Sequence, residues 1–181
     1  LGIYRDAFAN KLEEGEDPEE SDFGAAYTYF GQFIDHDLTF DPSTFQQQKS
    51  DPNAIVDFRT PKCDLDNVYG RGPGDEPYLY DGRENKMLLG QKLFLVARSP
   101  AARALPRSDA ASDGTRRAII GDPRNDENVI VSQLQGIMQR FHNRFVDALV
   151  HADPDVSFDA IQLEVRRHYQ WAVLHDFLAS V

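Results

Sequence analysis

Gly31-Gln32-Phe33-Ile34-Asp35-His36-Asp37 is the stretch on which the reading of this chain turns. It lies among Tyr27, Tyr29, Phe30, Phe33, Ile34, Leu38 and Phe40, and Tyr29 to Phe40 reads as a short buried helix. On a helix advancing roughly 100° per residue, with Gln32 at zero, Asp35 falls near 300°, His36 near 40° and Asp37 near 140°. Gln32, Asp35 and His36 therefore share one face, and Asp37 points elsewhere. One helix can thus offer an amide, a carboxylate and an imidazole to one ligand, and a second carboxylate to another. Imidazole is the usual proton shuttle, with an unperturbed pKa of about 6.5. An isolated Asp-His-Asp triplet is more often a solvated helix end. Here the apolar setting buries it, and buried charges need partners or a task.

Working outward, Thr60, Lys62, Asp64 and Asp66 alternate along a turn-rich segment, Thr60 to Gly70. Oxygen ligands at that spacing, with Lys62 contributing its carbonyl, point to a hard cation of the calcium type. The glycine and glutamate offsets of an EF-hand are missing. By spacing alone an Asp-rich turn is the stronger reading, unless Asp37 joins as a further ligand. Gly121 to Asn128 (GDPRNDEN) places Arg124 and Glu127 three apart, on one side of a helical turn. The plain alternative is a local ion pair worth a few tenths of a kcal/mol. A functional role requires Arg124 to face developing negative charge.

The rest of the chain sets bounds. Its 181 residues fit one domain or a large part of one, and 41% hydrophobic content suffices for a core. A formal net charge of −11 argues against a nucleic-acid partner. No run approaches the ~18 apolar residues of a membrane span. Cys63 is the only cysteine, which excludes an intrachain disulfide and leaves the compartment open. A secreted or extracellular location is the expectation, although the chain shows no signal peptide.

Residues 1–22 read as an acidic arm and residues 41–57 as a loop. Leu93 to Val96 reads as a short extended segment, and 98–118 as a loop with dispersed arginines. Two long helices follow. Ile130, Leu134, Ile137, Phe141, Phe145 and Leu149 give the first an apolar stripe, and Ala152-Asp153-Pro154 ends it. The second starts near Ser157. Its last part, Trp171 to Val181, is apolar on nearly every side, which predicts burial from all directions. His168 and His175 share a face, but buried histidines satisfied by neighbours are commoner than ligands, and His151 reads as a surface residue. The fold class is mainly α with long ordered loops.

Taken together, YFGQFIDHDLTF, DLDNVYG, GDPRNDEN, the HN of RFHNRF and WAVLHDFL resemble the animal-type haem peroxidases, especially their bacterial members, over residues 23–181. The resemblance implies that His36 takes a proton from bound hydrogen peroxide, Gln32 orients water or a halide, and Arg124 stabilises developing negative charge. It implies haem b, with Asp35 and Glu127 at the positions that form ester bonds to haem methyl groups. Asn128 stands where one family member has a methionine making a third haem link, so that bond is not expected. Asp37, Thr60, Lys62, Asp64 and Asp66 match the calcium ligands.

The family's proximal histidine, the protein ligand to iron, lies well downstream of the Arg–Glu motif, and His168 and His175 do not match it. The expectation is therefore that residues 23–181 are the distal half of a peroxidase domain, with a second chain or a further C-terminal half supplying the proximal side. Such a half would have little activity alone. The whole would reduce hydrogen peroxide and oxidise halide, thiocyanate or small phenolic donors, in keeping with a response to oxidative stress. The rival readings are a fatty-acid dioxygenase of the same superfamily, which Asp35, Glu127 and Arg124 fit less well, and a non-catalytic calcium-binding or interaction module.

Overall fold

A computed structural model describes residues 24–40, 59–82, 86–93 and 102–181. The acidic arm of residues 1–22, the loop of 41–57 and most of the extended segment expected at Leu93 to Val96 lie outside them. The described chain is mainly helical. Helix α1 spans Ala26–Leu38, a short α2 spans Asp66–Tyr69, α3 spans Val129–Ala152 and α4 spans Phe158–Ala172. A π turn over Val173–Phe177 carries α4 into a last turn, α5, at Leu178–Ser180. The only sheet among the described residues is a two-residue hairpin, β1 (Tyr80–Asp81) against β2 (Lys86–Met87).

Local chemistry sets the helix ends. Asn128 caps α3 by accepting hydrogen bonds from the backbone N–H groups of Ile130 and Val131 at 2.8 and 3.3 Å. The same helix stops at Asp153, whose extended backbone is what a residue preceding proline favours. Ser157 caps α4 through the Ala160 N–H at 3.2 Å. α1 has no side-chain N-cap, and its C-terminal carbonyls are met from outside by an arginine described below.

α3 and α4 pack together, and α1 and the loop carrying α2 pack against them. Phe33, Ile34, Leu65, Val68, Tyr69, Val131, Val165, Tyr169 and Val173 form its buried core. Edge-to-face rings tie the layers, with Phe33 on Tyr169 and Tyr69 on Phe158 at centroid distances of 6.2 and 6.1 Å.

Two expectations hold only in part here. Leu134, Phe141 and Phe145 of the expected stripe on α3 pack against the core, but the most buried residues of the helix are Val131, Gln135, Gly136, Gln139, His142 and Val146, and Ile130 and Ile137 are each close to half exposed. Burial follows the neighbouring strip because its polar side chains have partners in the fold: Gln135 bonds Asn125, and His142 Nδ1 meets the Tyr69 hydroxyl at 3.1 Å. The segment from Trp171 to Val181 is likewise not buried all round. Val173 is buried and Phe177 packs on Phe30, but Trp171, Leu174, Leu178 and Val181 are exposed. Among the described residues, Val173 and Phe177 of this segment pack on the core and its other large apolar side chains are exposed.

Candidate functional site

α1 divides its polar residues as its helical angles require. His36 is buried, with Nδ1 2.7 Å from Asn125 Oδ1, while Nε2 has no hydrogen-bond partner among the described residues. Gln32 is half-buried and Asp35 exposed. Asp37, on the other side, is fully buried and accepts the Leu65 N–H on Oδ2 at 3.1 Å.

Asn125 belongs to a 3₁₀ turn, Pro123–Asp126, whose preceding residue Asp122 is the hub of the region. Asp122 has no exposed surface. It accepts from the Arg124 backbone N–H at 2.9 Å, from Arg124 Nη2 at 2.7 Å and from Arg59 Nη2 at 3.1 Å. Burial alone would push its carboxyl up, but the Arg124 hydrogen bonds and charge, with Arg59 added, hold it below the usual carboxylate range. Gly121 makes this approach possible. A Cβ there would meet Asn67 O and Gly70 N at 2.8 Å and Val68 O at 2.9 Å, all backbone atoms.

Arg124 is anchored by these contacts. Its Nη2 also donates to the carbonyls of His36, at 3.1 Å, and of Thr39, and its guanidinium lies over the Phe40 ring. It therefore closes the C-terminal end of α1, a position that favours a cation. The ion pair it makes is with Asp122, not the local one with Glu127. Glu127 follows the 3₁₀ turn and is exposed. The structure thus joins two motifs 88 residues apart through the His36 backbone and the His36–Asn125 bond.

The second constellation folds beside α1. Leu65 takes the left-handed conformation, φ 63°, which turns its N–H onto Asp37. The Lys62 carbonyl accepts the Asp64 N–H at 2.8 Å, and the Thr60 hydroxyl donates to Asp64 Oδ2 at 2.7 Å. Arg166 of α4 braces the loop by donating to the Asp64 carbonyl at 2.5 Å and lying 3.5 Å from Asp66 Oδ1. As placed, no group of three or more His, Cys, Asp or Glu side chains among the described residues is arranged to hold a metal ion.

Buried acidic groups nevertheless gather beside α1. Asp37 Oδ1 and Asp64 Oδ1 are buried without a hydrogen-bond partner, as is the Tyr169 hydroxyl. Burial first, then the charges of Asp64 and Asp66, push the Asp37 carboxyl up to about 6 against the hydrogen bonds that lower it. Asp66 is also raised, by burial and then Asp64. The Cys63 thiol is pushed up by burial and by Asp37 and Asp64. Two orphaned carboxylate oxygens in a negative field fit a hard cation with oxygen ligands.

The remaining histidines are occupied or outside this cluster. His142 is in the core, His168 Nδ1 lies 2.8 Å from the Glu164 carbonyl, and His151 and His175 are exposed. Clefts of about 430 Å³, lined by Arg103, Ile137 and Arg140, and about 570 Å³, lined by Leu89, Lys92 and Arg107, do not include His36. Sequence reasoning missed Asp122, Asn125 and Gln135. The first two lie inside the quoted GDPRNDEN, but nothing local distinguishes a buried hub from a capping acid. Gln135 lies outside the apolar stripe, and nothing in its neighbours marks it as buried.

The family model described as animal haem peroxidase matches residues 43–179. No curated protein matches the chain. The matched span takes in the loop from Thr60 to Asp66, the Arg124 turn, α3 and α4, and begins just after α1.

Proposed function

Because the chain belongs to the animal haem peroxidase family, we propose that it carries the distal side of a haem peroxidase site, with His36 as its acid–base group. The observation that carries this reading is the meeting of α1 with the Arg124 turn, which holds His36 Nδ1 on Asn125 and leaves Nε2 without a hydrogen-bond partner among the described residues. The residues present fit the prosthetic group: His36 Nε2 meets no hydrogen-bond partner among the described residues, and Asp35 and Glu127 are exposed carboxylates available for ester links. When bound, haem would supply the redox-active iron that takes the oxidising equivalents of hydrogen peroxide.

The chain's own residues divide the remaining work. His36 Nε2 accepts a proton from hydrogen peroxide and delivers it to the departing oxygen, which leaves as water. Gln32, half-buried on the same helix, orients a water or halide beside that oxygen. Arg124 supplies positive charge at the end of α1 and, through the His36 carbonyl, holds the helix that aims the imidazole. Asp37, Thr60, the Lys62 carbonyl, Asp64 and Asp66 hold calcium on the opposite side of α1, which supports the same aim from behind. The electron donor would be a halide, thiocyanate or small phenol, and a second chain or further segment would supply the histidine that holds the haem.

Titrating the chain with haemin tests this. The expected result is haem uptake, seen as a shifted Soret band, with little guaiacol oxidation by the chain alone. Vigorous turnover without a further segment would overturn the half-site reading. Calcium binding in calorimetry with no haem uptake would overturn the haem reading in favour of a calcium-binding module, and linoleate-dependent oxygen uptake would indicate a dioxygenase.

A further inference from the structure

His36, Asn125 and Gln135 form a buried line of hydrogen bonds that the proton chemistry proposed above does not by itself require. His36 Nδ1 lies 2.7 Å from Asn125 Oδ1, and Asn125 Nδ2 donates to Gln135 Oε1 at 2.8 Å. Asn125 and Gln135 have no exposed surface and His36 almost none. The three residues come from α1, the 3₁₀ turn and α3, so the line crosses the junction of all three elements.

The line has a direction. An amide oxygen accepts and an amide nitrogen donates, so Asn125, donating to Gln135 through Nδ2, must present its oxygen to His36. Nδ1 must then carry a proton, and the neutral ring keeps its lone pair on Nε2. At the far end Gln135 Nε2 is a buried donor and Gln139 Oε1, one turn along the same face of α3, a buried acceptor, neither with a hydrogen-bond partner among the described residues. In a dry interior such a line is cooperative, and turning one amide over disturbs every bond in it.

We infer that Asn125 and Gln135 are positioning residues that lock His36 as the Nδ1–H tautomer, keeping Nε2 as a ready proton acceptor. The inference rests on the reading of His36 as the acid–base group for its purpose, but not for its test. A histidine free in water favours the opposite tautomer, Nε2–H, whose remaining lone pair would face the protein. A merely structural amide pair would hold the ring in place without choosing which nitrogen is basic.

The test is read on the haem-free chain. With isotope-labelled imidazole nitrogens, proton–nitrogen correlation spectra above the titration range should show a pyrrole-type Nδ1 and a pyridine-type Nε2 for His36. Asn125→Ala should move Nε2 towards the pyrrole-type position, Gln135→Met should do so in part, and Gln135→Glu, which keeps the acceptor, should restore the wild-type pattern. Far-UV circular dichroism identifies any variant that has lost its fold, and the wild-type spectrum decides the matter without one. A wild-type His36 in the Nε2–H form, or an Asn125→Ala chain that is folded with its tautomer unchanged, overturns the inference. An Nδ1–H His36 in a chain that takes up no haem keeps the lock and refutes the peroxidase reading. Haem uptake with an Nε2–H His36 does the reverse.

Discussion

Replacing Asp37 with asparagine should change the sign of its effect on stability according to whether calcium is present. The folded carboxyl titrates at about 6 against an ordinary 3.8. Below both values the side chain is protonated in either state and makes no difference. Between them the folded chain holds the proton more tightly than the unfolded one, so the stability contributed by protonation is lost as pH rises through about 6. At neutral pH and without a cation, the buried carboxylate then costs on the order of 3 kcal/mol. Asp37→Asn removes that cost. Its amide oxygen can accept the Leu65 N–H, and its nitrogen would take the place of the Oδ1 atom that lacks a partner. In a chelator at pH 7 the variant should therefore be more stable than wild type, by an amount approaching 3 kcal/mol, and the gap should close near pH 4.

With calcium the order reverses. A ligand at about a thousandfold excess over its Kd stabilises the folded state by about 4 kcal/mol, and the variant lacks the central carboxylate needed to collect it. Urea unfolding followed by far-UV circular dichroism, in chelator and in millimolar calcium, reads both arms. Equal destabilisation by Asp37→Asn in both conditions would refute the reasoning, as would a wild-type midpoint that calcium does not move.

Three further outcomes follow from the same contacts. Asp122→Ala strips the shared partner from Arg124 and Arg59 and should cost about 3–5 kcal/mol in urea unfolding. Because the Asp122 carboxyl is held low, its contribution is present above the ordinary carboxylate pKa and is lost as pH falls below it, so the wild-type advantage should vanish in acid. Gly121→Ala drives a Cβ to 2.8–2.9 Å from three backbone atoms of the segment 67–70. It should destabilise by about 1–3 kcal/mol and weaken the calcium response in calorimetry. Asn128→Ala removes the α3 cap and should lower stability by about 1 kcal/mol without altering calcium binding.

Much of this was legible without coordinates because it is local. The 100° step of a helix separates Asp37 from His36, and in the structure Asp37 meets Leu65 while His36 meets Asn125. The stop before Pro154 and the start at Ser157 are read from single residues and their neighbours. The mainly helical class and the family followed from periodicity and motif order, both properties of adjacent residues.

What only the tertiary structure decided are the pairings across long separations. The isoleucines of the apolar stripe on α3 look buried, yet Ile130 and Ile137 stay exposed while Asn125 and Tyr69 supply partners that let Gln135 and His142 go inside beside Phe141 and Phe145. Arg124 looks like a partner for Glu127 until the fold brings up Asp122 and the end of α1. Burying a polar side chain costs several kcal/mol or almost nothing, depending on whether a partner is there to meet it. That partner can lie 88 residues away, as Arg124 does from His36. The sequence alone placed His36 on a helix with the right companions; the choice of which of its nitrogens stays free belongs to Asn125 and Gln135, which only folding brings to it.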